Sequence, residues 1–397
     1  MKVRYILYGL GEFFTDFFAD GRIIKRLDEM GYSFCGISDS FRNGEEIIND
    51  KVYSITPLPP ENFIDKIVLS VGEGRVGEIS SSLMEMGITR DKIISAKEFL
   101  NSAFCKGDFK YKLSIAVIVK DEERHILEWI EYHRMIGVEH FYIYDNGGSK
   151  ALEKMLLPYI SNGIVDLIDY PGVRMQLSAY DDTINNFKYQ SKYIALIDAD
   201  EFLVCKESNL YHLINNSLDI DNDKLSLLPL LPGGLVINWE VFGTSGFETD
   251  TSYGLLTATH LYRYSDSKIY PNAHIKTIVN PRTVDKPNVH NMKFLPYFGS
   301  RSLMGSFNVG SFFPDGVKED RIRVYHYAYR SEKEIETKFL RGRAATRYDS
   351  QSEIENAILS AKEENKKYCN EVYDDWMVQY EPELKSRIKS AMSGKLL

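Results

Sequence analysis

The chain has 397 residues, more than one ordinary hydrophobic core accommodates, so two or three folded units are expected. A hydrophobic fraction of 44% with 13% aromatics excludes a disordered chain, and a net charge of −9 disfavours a nucleic-acid partner, since duplex binding demands a basic face. No apolar run approaches the length of a membrane span, Met1-Lys2-Val3-Arg4 leads into a strand and not a signal peptide, and the four scattered cysteines (Cys35, Cys105, Cys205 and Cys369) suit free thiols in a reducing cytoplasmic setting.

The first hundred residues alternate strand and helix. A short apolar strand over 4–8 runs into Gly9-Leu10-Gly11 and a helical stretch ending near Gly31. A second strand over 32–37 ends in Ser38-Asp39, and a third over 66–71 leads through a Gly-rich turn into a helix over 76–86. This alternation predicts a parallel sheet with helices on its faces, a small Rossmann-like α/β domain over 1–105. Gly9-Leu10-Gly11, with Asp39 closing the next strand, is similar to a dinucleotide fingerprint, but Phe14 replaces the third glycine. A docking or oligomerisation module therefore suits this domain better than a nucleotide site, and a homo-oligomer stays open.

Beyond a polar linker at 103–110 the rhythm restarts. A β-branched strand is expected over 113–119 and a helix over 122–136, with Ile126, Trp129, Ile130 and His133 along one face. Strands over 140–144 and 193–197 end in Asp145-Asn146-Gly147-Gly148 and Asp198-Ala199-Asp200-Glu201. After Lys206 the pattern is broken by Pro and Gly, with strands expected over 235–241, 260–264 and 276–279. From 331 the chain turns helical and charged, over 332–347 and 353–370. Lys385, Arg387, Lys389 and Lys395 form a small basic cluster in the tail, read either as a solvated helix end or as a peripheral membrane contact.

The sharpest chemical signal is the apolar run Tyr193-Ile194-Ala195-Leu196-Ile197 followed by Asp198-Ala199-Asp200-Glu201-Phe202. Such a run fits a strand buried on both faces of a parallel sheet, and ligands bind beyond the carboxyl ends of those strands. Residues two apart on an extended chain point the same way, so the two aspartates can converge on a hard cation, Mn²⁺ or Mg²⁺, that bridges to phosphate oxygens. A P-loop reading fails, because Gly72 to Gly77 continues with Glu78 where a lysine is needed. A phosphoryl-transfer enzyme using Asp198 as nucleophile wants a small or β-branched residue where Phe202 stands. The remaining possibility is that the acids cap a turn. Two further strand ends bring Lys120, Glu122, Asp145 and Asn146 to the same expected sheet edge, the build of a nucleotide pocket.

The ordered series Lys120-x-Glu122, Glu128-Trp129, Tyr132-His133, Tyr144-Asp145-Asn146 and Asp198-x-Asp200-Glu201-Phe202 resembles glycosyltransferase family 92 and its bacterial relatives. The likeness continues in Asn238-Trp239-x-x-Phe242-Gly243, Lys276-Thr277-Ile278-Val279, His290, His326-Tyr327 and Lys338-x-x-Arg341-Gly342, and spans about residues 112–345. It implies a GT-A fold over 106–330, a helical extension over 331–397, a nucleotide-diphosphate sugar donor (UDP-linked by family likeness) and inversion at the anomeric carbon. It also implies a divalent metal, a glycan or lipid-linked acceptor in surface polysaccharide synthesis, and cytoplasmic work at the inner face of the cell membrane. Carried residue by residue, Asp145 holds the base, Asp198 and Asp200 hold ribose and metal–diphosphate, and His326 is a late metal ligand. Gln176 faces the donor.

Inversion needs a base for the acceptor hydroxyl. Glu240 is favoured over Glu248 and Asp250 because Trp239 beside it could stack on a sugar, although strand alternation could equally turn Glu240 outward. Lys276 and Arg341 are candidates to neutralise diphosphate, and His290 to assist the base or the acceptor. A non-catalytic nucleotide-sugar-binding protein is the rival from another class.

Overall fold

The computed structural model describes residues 2–207, 209–249, 254–265, 272–308, 310–311, 321–340 and 350–396. It divides into two units. The first comprises Met1–Asp108, Leu218–Gly233 and Phe294–Gly299, and the second Phe109–Ser217, Gly234–Lys293 and Ser300–Leu397.

The first unit carries a six-stranded sheet in the order Gly44–Ile48, Lys51–Ile55, Tyr32–Ser38, Val3–Tyr8, Lys66–Leu69, Ile93–Ser95. All neighbours run parallel except the first pair, an antiparallel hairpin. Phe14, Phe18, Ile23 and Leu27 pack with Tyr5, Leu7, Phe99, Leu100 and Phe104 in its core, which Leu225, Leu231, Leu295, Tyr297 and Phe298 from later in the chain also enter. The glycine loop is built for its turn. Gly9 has φ +102°, and a Cβ there would stand 2.5 Å from Val71 Cγ1. Asp39 is spent on the same loop, accepting from the Leu10 and Phe41 amides at 3.1 and 2.9 Å. The helix that follows, Glu12–Phe17, is only six residues long.

The second unit is α/β, its strands ordered Glu201–Cys205, Ile322–His326, Leu231–Val241, Ile275–Val279, Ser191–Leu196, Tyr111–Val119, His140–Asp145, Val165–Asp169. The last four are mutually parallel. Ile275–Val279 runs against both Ser191–Leu196 and Leu231–Val241, and Ile322–His326 runs against Glu201–Cys205. The sheet is therefore parallel where strand–helix alternation was legible and mixed where the later segments insert. Tyr193, Ile194, Ala195, Leu196 and Ile197 are fully buried, as a strand covered on both faces requires.

Several expected elements differ. The helix starts at Ile126, because Asp121 adopts φ +56° and the residues after it turn. In place of a strand over 260–264 there is a short helix, Leu256–Thr259, and a two-residue strand, Tyr262–Arg263. The helices after 331 belong to the second unit and make no separate unit of their own. No helix of the described residues is long and apolar enough to cross a membrane.

Candidate active site at the end of the central strand

The central strand ends at Leu196 and the next begins at Glu201, so Asp198, Ala199 and Asp200 form a turn and not an extended run. This alters the expected geometry: the two acids take different partners. Asp198 Oδ1 accepts from the Gln176 amide at 2.5 Å and from the Tyr180 hydroxyl at 3.3 Å, and Oδ2 accepts from Lys276 Nζ at 3.0 Å. Asp200 Oδ2 accepts from Lys338 Nζ at 2.6 Å, while Oδ1 lies 3.5 Å from His326 Nε2. The Tyr327 amide holds the turn through the Asp200 carbonyl at 2.8 Å.

Burial sets the electrostatics. Burial alone would lift the Asp200 carboxyl, but the Lys338 ammonium and His326 outweigh it and hold it well below the ordinary carboxylate range. Burial would likewise lower Lys276, yet Asp198 and Glu201 raise it. Glu201 is pushed up to about 8, first by burial, against Lys276 and with the two aspartates adding to it. One of its oxygens accepts from the Asp198 amide at 2.8 Å and the other is buried without a partner. A protonated carboxyl is the form that suits such a position.

A helix clamps the strand that follows the acids. Trp129, Tyr132 and His133, all fully buried on helix Ile126–Met135, address the backbone of strand Glu201–Cys205. The Trp129 indole donates to the Glu201 carbonyl at 2.7 Å and the Tyr132 hydroxyl to the Leu203 carbonyl at 2.9 Å. His133 Nδ1 donates to the Trp129 carbonyl at 2.8 Å, which leaves Nε2 to accept from the Leu203 amide at 3.1 Å. Glu128, one residue earlier, accepts from the Leu256 and Thr257 amides and the Thr257 hydroxyl at 2.7–2.9 Å. These contacts explain why Glu128-Trp129 and Tyr132-His133 accompany the acidic motif. Gly243 has a packing reason too: a Cβ there would meet Cys369 Cβ at 2.5 Å.

Other expected site residues are engaged differently. Glu240 lies between Arg263 Nε at 3.3 Å and Arg323 Nε at 3.2 Å. A carboxylate facing two guanidiniums is a poor proton acceptor, so the geometry turns against Glu240 as the base. Asp145 accepts from the Gly147, Gly148 and Ser149 amides at 2.9–3.0 Å, and Asn146 donates to the Tyr170 and Gly172 carbonyls, so both shape the rim loop. Glu122 pairs with Arg330 at 2.8 Å, and Lys120 is exposed. Arg341 and Asp250 lie outside the described residues, and Glu248 is exposed.

Trp239 sits among three histidines, its ring 4.8 Å from His274, 5.4 Å from His290 and 4.4 Å from His326. His290 Nδ1 must donate to the Ile275 carbonyl at 3.1 Å, which fixes Nε2 as the acceptor. Burial, with Lys276 next, pushes His290 down to about 4, so its ring is neutral at pH 7. Tyr180, Arg330, Lys338 and His274 received no role from the sequence. Tyr180 was findable, one helical turn after Gln176, whereas Lys338 lies 138 residues from its partner.

A divalent cation takes carboxylate oxygen and imidazole nitrogen and fills its shell with water and phosphate oxygens. Asp200 Oδ1 and His326 Nε2 supply such a pair, and His326 Nδ1 is a buried atom without a hydrogen-bond partner. Among the described residues no three His, Cys, Asp or Glu side chains meet at one metal position. Of the expected ligands Asp198, Asp200 and His326, the last two face each other, while Asp198 is turned to Lys276 and Gln176. The residues fit a cation that arrives with phosphate ligands of its own.

Glycosyltransferase family 92 matches residues 112–354. A family 92 protein of Arabidopsis thaliana is 24% identical over 254 residues, covering 61% of this chain and 39% of its own length. One of Oryza sativa subsp. japonica is 25% identical over 237 residues, at 59% and 36% coverage, and one of Ricinus communis 22% identical over 182 residues, at 45% and 30%. The chain thus spans less than two fifths of each of these curated relatives. Among solved structures, S. aureus TarS 1–349 aligns at 9% identity with a TM-score of 0.30, covering 71% of this chain and 87% of that chain. Its complex with UDP aligns at 9% identity with a TM-score of 0.28, over 43% and 47%.

Proposed function

The chain belongs to glycosyltransferase family 92, and from that premise we propose that it transfers a hexose from a nucleotide-diphosphate sugar to a glycan or lipid-linked acceptor, with inversion, on a GT-A-type fold. UDP as the carrier and surface polysaccharide as the destination are part of this proposal and follow the family likeness. The observation that carries it is the turn at the end of the central strand, where Asp198 and Asp200 flank Ala199 with a lysine on each.

Breaking a glycosidic bond to a nucleotide diphosphate leaves negative charge on the diphosphate, and fixed cations aimed at that charge lower the barrier. Lys338 supplies positive charge from the solvent side, and the buried Lys276 supplies it beneath Asp198. A divalent cation held by Asp200 and His326 would supply Lewis-acid stabilisation of the same oxygens when bound. Asp198, fixed by Gln176, Tyr180 and Lys276, is placed to orient the donor. His290 offers an unprotonated Nε2 near Trp239 that can accept a hydrogen bond from the acceptor hydroxyl and orient it, with Trp239 as the sugar-facing ring.

The test is mass detection of glycosyl transfer or donor hydrolysis across a panel of nucleotide sugars, with and without Mn²⁺. Asp200→Ala is expected to lower metal-stimulated turnover by about 10²–10³, the usual cost of deleting a charge-stabilising group, while its melting temperature stays close to wild type. Unchanged turnover in that variant would remove the metal role. Nucleotide-sugar binding without any transfer or hydrolysis would favour the non-catalytic alternative.

A further inference from the structure

Each acid of the turn carries its own lysine, and the two lysines differ in a way that extends the reading above, on which this inference rests. Lys276 lies between Asp198 and Glu201 with its side chain 1% exposed. Lys338 reaches Asp200 from helix Glu332–Leu340, and its side chain is 25% exposed against 11% for Asp200. Among the described residues its ammonium donates to the Asp200 carboxylate at 2.6 Å and the Ala328 carbonyl at 3.3 Å. One cation is buried in the fold; the other comes from the solvent side on a long, jointed stem.

At Asp200 the Lys338 ammonium offsets the carboxylate charge. A bare divalent ion approaching Asp200 therefore finds no net negative field and must evict an ammonium to gain its ligand. A nucleoside diphosphate changes that balance, because its oxygens take up the evicted ammonium while the ion takes the carboxylate. The Asp200 Oδ1 and His326 Nε2 pair on the other side of the carboxylate is the protein's share of the ion's shell.

We propose that Lys338 is an exchangeable counter-ion, a positioning residue that neutralises Asp200 until the donor arrives and then yields it to the cation of the donor complex. Metal binding and nucleotide binding are thereby linked, each strengthening the other by the same factor. Free protein holds the ion weakly, and Asp200 is never left as an uncompensated buried charge, a state the fold would resist.

The experiment follows Mn²⁺ binding by the EPR signal of the free ion, on the full chain, with and without UDP as the probe nucleotide. Wild type, Lys338→Met, Lys338→Gln, Lys338→Arg and Asp200→Asn are compared, each checked for a cooperative melt. Without UDP, Lys338→Met and Lys338→Gln are expected to bind Mn²⁺ on the order of tenfold more tightly than wild type, since the competing ammonium is gone. Lys338→Arg stays with wild type, the advantage of the neutral variants shrinks when UDP is present, and Asp200→Asn loses the site. Equal Mn²⁺ affinity in wild type and the neutral variants, with Asp200→Asn weaker than both, makes Lys338 a fixed strut: the inference falls and the donor reading survives. Absence of Mn²⁺ binding in every protein, with UDP itself bound, overturns the inference together with the metal part of that reading.

Discussion

His290 and Glu240 illustrate how a side chain's partners decide its chemistry. His290 packs against the Trp239 ring, and Glu240 follows Trp239 in the chain, which is why the sequence favoured the glutamate beside a ring able to stack on a sugar. In the fold Glu240 faces Arg263 and Arg323, whereas His290 has its Nδ1 proton committed to a carbonyl and its Nε2 left to accept. Replacing His290 with Ala is expected to lower transfer by about tenfold, the loss of one orienting hydrogen bond, and to leave nucleotide affinity near wild type. Steady-state rates beside calorimetric UDP binding check this, and an unchanged kcat would remove the orienting role. Asp198, Asp200, Gln176, Lys276 and His326 were all singled out in the sequence, and the fold brings them together around one turn. Their pairing was not legible, because Lys276 and Lys338 reach the turn from 78 and 138 residues away.

Helix Ile126–Met135 shows the same limit among elements. Its existence follows from apolar spacing, which placed Ile126, Trp129, Ile130 and His133 along one face without saying what that face meets. The contacts are more particular: three polar tips on that face bind the backbone of one strand, the strand that leaves the acidic turn. His133 can accept from the Leu203 amide only while unprotonated, and burial, opposed by its bond to Trp129, pushes it down to about 3. Its folded value thus lies below the ordinary 6.5. The unfolded chain binds the extra proton first, so this contribution to stability is whole above about pH 6.5 and is lost as pH falls through that window toward 3. The expected slope is about 1.4 kcal/mol per pH unit inside the window. Urea unfolding of wild type and His133→Gln between pH 7.5 and 5 should show a shallower dependence in the variant; parallel curves would mean the imidazole titrates normally. Trp129→Phe tests the clamp itself. It strips the Glu201 carbonyl of its donor and should cost about 1–3 kcal/mol in the same assay.

At the level of the whole molecule, the front unit is not a continuous stretch. A linker near 105 suggested that the first hundred residues close on themselves, yet Leu225, Leu231, Leu295, Tyr297 and Phe298 enter the first unit's core from later segments. Tyr297 packs against Phe13 and Phe17 at 4.9 and 4.4 Å, and Phe298 against Phe104 at 4.8 Å. A fragment of residues 1–108 lacks those rings, and losing even one buried aromatic typically costs about 3–5 kcal/mol. It is expected to give a broad, non-cooperative melt by circular dichroism and to aggregate on concentration, whereas the full chain melts cooperatively. A sharp transition from the fragment would show that the first hundred residues suffice.

Local order in this protein was written in the sequence. Apolar run lengths marked the central strands, polar clusters marked where they end, and the ordered series of motifs led to the family, since each depends only on near neighbours. The tertiary structure alone decided which charges meet. Asp198 and Asp200 turn to different lysines, Glu240 is held by two arginines, and late segments complete an early core. Those outcomes depend on side chains far apart in sequence, 78 and 138 residues for the two lysine pairs, and spacing along a chain says little about which distant side chains share a buried volume once the sheet has formed.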